Sequence, residues 1–222
     1  MCRLLWTLPL LVLVCGCLPT LPPQQLPQDC RAEQERNELV GTDWRQQQQV
    51  WRLRQTALFD FGYRKLALEC FVRFDSVAGE LRMIAMNELG LVMFDLQVDN
   101  DGETLHRAIP QLKKREKLMA DIAGNLRRIF LTPLPSADDS LEHQDYVQIL
   151  SRTTGQEKVR FVFDCQGDLR QSSGDGGSGR WRILYNRYAD WNGLRLPNQT
   201  LLSDESGHIN LSLELKEVKQ ES

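Results

Sequence analysis

From Val50 onward the apolar residues of this chain recur at every second position, and only one stretch breaks that rhythm. Side chains of an extended strand point alternately to the two faces of a sheet, so such alternation commits each segment to a strand with one buried face. Trp51, Leu53, Ala57 and Phe59 alternate with mostly polar neighbours, and Leu66, Leu68, Cys70, Val72 and Phe74 do the same. Leu81 to Met86 predicts a third strand, apolar on nearly both faces. Val92, Phe94, Leu96 and Val98 predict a fourth, which ends at the tight-turn signal Asn100-Asp101-Gly102. Glu103 to Ala108 predicts a fifth. Strands resume at Tyr146–Ser151, at Lys158–Cys165 and at Trp181, Ile183 and Tyr185. The alternation is cleanest in Ile209, Leu211, Leu213 and Leu215. Residues 133–144 read as a polar loop. Gln171 to Gly179, with four glycines and three serines, reads as a flexible loop without core potential.

The exception begins at Pro110. Leu112, Met119, Ile122, Leu126 and Ile129 fall on one helical stripe, widened by Leu118 and Phe130, with Lys113, Lys114, Lys117, Asp121, Asn125 and Arg128 opposite. Pro110 in the first turn and Pro133 beyond the end frame that helix. Gly124 inside it either admits a close-packed strand or is simply tolerated. Residues 31–40 predict a short helix, and Arg45 to Gln49 are polar without pattern. A sheet with one apolar face must cover it. The expected fold is therefore α+β, a curved, half-open antiparallel β-barrel of about nine to eleven strands wrapped around one main amphipathic helix.

The N-terminus has a separate logic. Arg3 precedes Leu4 to Val14, an apolar run of about a dozen residues that suits a signal peptide and falls short of the roughly 20 needed to span a bilayer. It ends in Val14-Cys15-Gly16-Cys17, which resembles the bacterial lipobox. Residues 1–16 are thus expected to be a lipoprotein signal peptide and Cys17 the lipid anchor, with acyl chains such as palmitate holding the protein to a membrane. Leu18, where an Asp would favour the inner membrane, points to the periplasmic face of the outer membrane. Residues 17–30 form a tether rich in Pro and Gln, whose prolines make it extended and semi-rigid. Residues 31–222 form a single domain.

With 27 basic and 30 acidic residues, the chain lacks the basic balance of a nucleic-acid binder. Of its six cysteines, Cys2 and Cys15 leave with the signal and Cys17 carries lipid. Cys30, Cys70 and Cys165 remain, so in an oxidising compartment one disulfide is possible and one thiol must be left over. Cys70 and Cys165 both fall in phase with buried apolar neighbours, and Cys30 is free to pair with either.

The layout resembles the LolA/LolB class of lipoprotein carriers. Tyr185 to Lys216 carry the resemblance: an aromatic-rich strand, a turn, a Leu-Pro pair, a strand, a polar turn and a final alternating strand, with Tyr188, Trp191, Gly193, Leu196 and Pro197 at the matching places. Leu89-Gly90, Phe94 and Ile109-Pro110 resemble the middle block of small lipoproteins of this superfamily. The resemblance implies a barrel cavity that binds acyl chains or lipid-linked cargo without catalysis or cofactor. The lining it implies is Leu66, Leu68, Phe74, Phe94, Leu96, Ile122, Leu126, Phe161, Phe163, Trp181 and Ile183. A LolB-like acceptor also exposes an apolar residue on a loop near the mouth. The loop Ser76-Val77-Ala78-Gly79 matches that poorly, which favours a relative handling another lipid.

Enzymatic signatures are missing. No GxSxG elbow is present, and His106, His143 and His208 lack metal-ligand spacing. His106 is expected near a strand end, His143 and His208 in loops. The glycine-rich run 174–179 does not open a helix with a phosphate-loop lysine. Against the lipid-binding reading stands a structural lipoprotein with a closed core, whose loops bind a protein partner in the envelope.

Overall fold

The computed structural model describes residues 30–177, 179–205 and 209–221. Cys17, the signal peptide, most of the tether and His208 lie outside them. A short helix α1 (Arg36–Thr42) and a 3₁₀ turn (Trp44–Gln46) lead into β1 (Val50–Asp60), β2 (Lys65–Asp75), β3 (Glu80–Met86), β4 (Val92–Asp99) and β5 (Glu103–Ala108). Helices α2 (Pro110–Lys113) and α3 (Glu116–Phe130) follow. Then come β6 (Ser140–Gln144), β7 (Val147–Thr154), β8 (Glu157–Asp164), β9 (Leu169–Gly176), β10 (Gly179–Trp191), β11 (Leu194–Asp204) and β12 (Ile209–Glu221).

All twelve strands form one antiparallel sheet in the order β5-β4-β3-β2-β1-β12-β11-β10-β9-β8-β7-β6. Strands consecutive in the chain pair with each other except β5 and β6, and β1 joins the two halves by pairing with β12. The sheet is open, with β5 and β6 at its edges. Its inward face carries Phe59, Leu68, Phe74, Met83, Phe94, Phe161, Phe163 and Ile183, packed with Met119, Ile122, Leu126, Ile129 and Phe130 of α3 into one core. Trp44 joins it from the 3₁₀ turn, edge-on to Phe74 and Phe130 at 5.9 Å each.

Several sequence expectations are corrected. Among the described residues there are twelve strands rather than about nine to eleven. One extra strand, β6, lies inside the stretch read as a polar loop, and places His143 in a strand, with Nδ1 3.3 Å from the Ala32 carbonyl. His106, by contrast, lies near the end of β5 as expected, hydrogen-bonded to Gln97. The supposed flexible loop at 171–179 is mostly β9. Its small residues have a packing reason: a Cβ added to Gly174 would lie 2.3 Å from the Trp181 indole nitrogen. Ser172, fully buried, instead hydrogen-bonds to the Tyr185 hydroxyl at 3.2 Å. The helix from Pro110 is broken at Lys114 and Arg115, where the charged run Lys113 to Lys117 sets lysines at i and i+4. Gly124 admits no strand, because a Cβ there would meet nothing within 4 Å.

Cys30 is bonded to Cys165 in the β8–β9 turn, with Cα atoms 5.7 Å apart. Cys165 is therefore a half-buried disulfide partner, not a small apolar core residue. Among the described residues Cys70 is the free cysteine, and it is buried. Burial, with Glu69 adding, pushes its thiol up to about 12, so it stays protonated.

The unpatterned stretch at Arg45 hides an ionic contact deep in the fold. The Arg45 guanidinium, fully enclosed, meets Asp43 through Nη2–Oδ2 at 2.6 Å and Nε–Oδ1 at 3.0 Å. It also donates to the Pro133 carbonyl at 3.3 Å and lies 5.8 Å over the Tyr185 ring. Burial alone would lower the guanidinium pKa, but Asp43 and Tyr185 outweigh it and hold the group charged. The pair ties the N-terminal segment to the loop after α3 and to β10.

Asp43→Ala strands a buried charge and should cost about 3–5 kcal/mol in urea unfolding, most of it recovered in Asp43→Ala/Arg45→Met. Recovery absent from the double variant would contradict the account of that pair. Gly174→Ala should destabilise by about 1–3 kcal/mol through the clash with Trp181, whereas Gly124→Ala should stabilise by up to about 1 kcal/mol.

Candidate functional site

Strand pairing sets the β1–β2 turn, the β3–β4 turn and the end of β5 at one end of this half of the sheet. Helix α2 begins at that end, and the start of α3 lies against it. An open cleft of about 860 Å³ lies there. Its walls are Phe61 and Leu66 from β1–β2, Met93 from β4, Ile109 and Leu112 at the start of α2, Leu118 from α3 and Ile209 from β12. Arg64, Arg115, Lys117, Gln111 and Asp121 stand among them. A smaller cleft of about 540 Å³ shares Met93, Ile109 and Gln111 and adds Leu91, Ala108 and Pro110, so the apolar path continues around the β4–β5 edge. The larger cleft is within the range of small-molecule sites.

The turns beside the cleft carry exposed apolar residues. Leu89 is 92 % exposed and Leu91 51 % on the β3–β4 turn, and Tyr63 is 81 % exposed on the β1–β2 turn. Asn87 shapes the first of these by accepting from the Leu89 and Leu91 amides at 3.1 and 2.9 Å. Val77, the loop residue weighed from sequence, is also exposed but sits on the β2–β3 turn, at the opposite end of those strands. Leu89 is the apolar tip of the turn whose Asn87 and Leu91 line the smaller cleft.

The residues implied as cavity lining separate. Leu66 lines the cleft. Leu68, Phe74, Phe94, Leu96, Ile122, Leu126, Phe161, Phe163 and Ile183 lie in the packed core between sheet and helix. Trp181 belongs to that core and also borders a second groove, about 950 Å³, on the outward face, where Leu58, Leu184 and Leu201 adjoin Lys158, Arg160 and Arg182. The cleft residues Phe61, Met93, Ile109 and Leu118 were not singled out as a site because they fall at strand ends, turns and a helix start. One signal was available: Tyr63 places an exposed aromatic residue in a turn, where no core requires it.

Among the described residues no three His, Cys, Asp or Glu side chains gather closely enough to hold a metal ion, and no helix is long and apolar enough to cross a membrane. The cleft offers apolar contact with charge at its rim.

No protein-family model matches the chain, and no curated protein sequence matches it. Solved structures do. A DUF1329 family protein from Desulfovibrio piger superposes with a TM-score of 0.58 at 8 % identity, over 84 % of this chain and 91 % of that one. A domain from Vibrio parahaemolyticus, described as an outer membrane lipoprotein-sorting protein, gives 0.57 at 10 % identity, over 84 % and 90 %. A LolA superfamily protein from Nitrosomonas europaea gives 0.54 at 11 % identity, over 86 % and 95 %. The chain has a LolA/LolB-like fold.

Proposed function

We propose that this protein is a lipid-anchored envelope protein that binds or hands on acyl chains through the cleft between α2–α3 and the β1–β2 turn, without catalysis. The observation that carries this reading is the cleft itself, an open apolar site at one end of a fold shared with a lipoprotein-sorting domain. Each methylene buried there contributes about 0.8 kcal/mol, enough for binding with no reactive group. Leu89, Leu91 and Tyr63 suit contact with a bilayer, from which a chain would pass into the cleft. The lipobox supports anchoring through Cys17, and Leu18 supports the periplasmic face of the outer membrane. The packed core supports a second reading, an assembly lipoprotein whose loops bind a protein partner.

Native mass spectrometry of the protein with Cys17→Ala, purified from an envelope extract without detergent, separates the two. Co-purifying lipid is expected. Met93→Asp or Leu118→Asp should reduce it roughly tenfold or more with circular dichroism unchanged, because a carboxylate in the cleft must be desolvated by the chain. Leu184→Asp on the outward face should leave it unchanged. A lipid-free mass with no later uptake of a fatty-acid probe would overturn the carrier reading and favour the protein partner.

A further inference from the structure

We propose that the cleft selects amphiphiles with an anionic head group, its floor taking the acyl chain and Arg64, Arg115 and Lys117 taking a carboxylate or phosphate at the rim. The inference rests on the acyl-chain reading above and specifies which chains bind.

The cations come from separate pieces of chain that the fold brings together. Arg64 stands on the β1–β2 turn, Arg115 at the junction of α2 and α3, and Lys117 in the first turn of α3, all lining one cleft. Against them the lining offers one carboxylate, Asp121. Among the described residues none of the three cations has an ion-pair partner; on the strands and α3, Arg73, Arg82, Arg128, Arg152 and Arg195 have one, while Arg107, Arg160 and Arg182 do not.

Helix stability does not account for this placement. Arg115 at the N-cap of α3 and Lys117 in its first turn oppose the helix dipole, which only Glu116 there favours. What the arrangement provides is an apolar slot whose exposed lip is positive. Long basic side chains can lie along such a slot with their charged ends in water, where they meet a head group whose tail is buried. An arginine fork suits carboxylate and phosphate oxygens alike. A fatty-acid carboxylate and a phosphodiester lipid head thus share the required chemistry.

The test uses the protein with Cys17→Ala and the uncharged fluorescent probe N-phenyl-1-naphthylamine. Probe bound in the cleft is displaced by oleate or by methyl oleate, which share a chain and differ in charge. A parallel pair compares dioleoylphosphatidylglycerol with dioleoylglycerol. The anionic member of each pair is expected to displace the probe at about tenfold lower concentration in low salt. High salt should narrow that gap, since the cations are exposed. Arg64→Gln/Arg115→Gln/Lys117→Gln should abolish it while leaving methyl oleate unchanged. A preference for oleate alone assigns the head to a carboxylate, and one for phosphatidylglycerol alone to a phosphodiester. Equal displacement by charged and neutral members overturns this proposal and leaves the acyl-chain reading standing. Absence of probe uptake overturns both.

Discussion

The structure depends on one mismatch of lengths. A strand of eleven residues such as β1 is about 36 Å long, while α3, with fifteen residues, is about 22 Å. One helix must cover the apolar face of a twelve-stranded sheet, and it is too short to cover all of it. Its C-terminal half is sealed: Ile129 and Phe130 pack against Trp44, Phe74 and their neighbours. At its N-terminal end the cover is a broken helix, and Phe61, Leu66, Met93 and Ile109 are left facing a cleft. The cleft is thus a consequence of how the core is closed.

The closed part is fastened elsewhere. Arg45, held by Asp43, reaches the loop after α3 and the ring of Tyr185, and Cys30 is bonded to the β8–β9 turn. Gln34 adds a hydrogen bond from its amide to Gln148 on β7 at 3.1 Å. These links hold the N-terminal segment against β7 to β10 and leave the α2–α3 junction without comparable ties. Such a division suits a protein that keeps a rigid shell and an accessible mouth.

Much of the architecture was legible in the residues, for definite reasons. Alternation along β1, β2, β4 and β12 reports a sheet with one buried face, and the stripe from Met119 to Ile129 reports its cover. Strand β9 was not legible, because Gly174 and Ser172 read as loop residues until Trp181 and Tyr185 are seen lying over them. Arg45 was not legible either: its isolation in a polar stretch hides a partner two residues away and another 140 residues on. The cleft was read imperfectly for a related cause. Periodicity identifies what is buried among regular elements, and so names core residues such as Phe94 and Ile122. A site made of turn residues and helix starts leaves no periodic trace.

Photo-crosslinking with a diazirine-bearing fatty acid tests most directly whether the uncovered end of the sheet is where an acyl chain goes. After irradiation and proteolysis, label on peptides containing Phe61 to Leu66 and Ile109 to Leu118 is the expected result, competed by unlabelled oleate. Label confined to the outward groove around Leu184 and Leu201, or spread without competition over the surface, would contradict it.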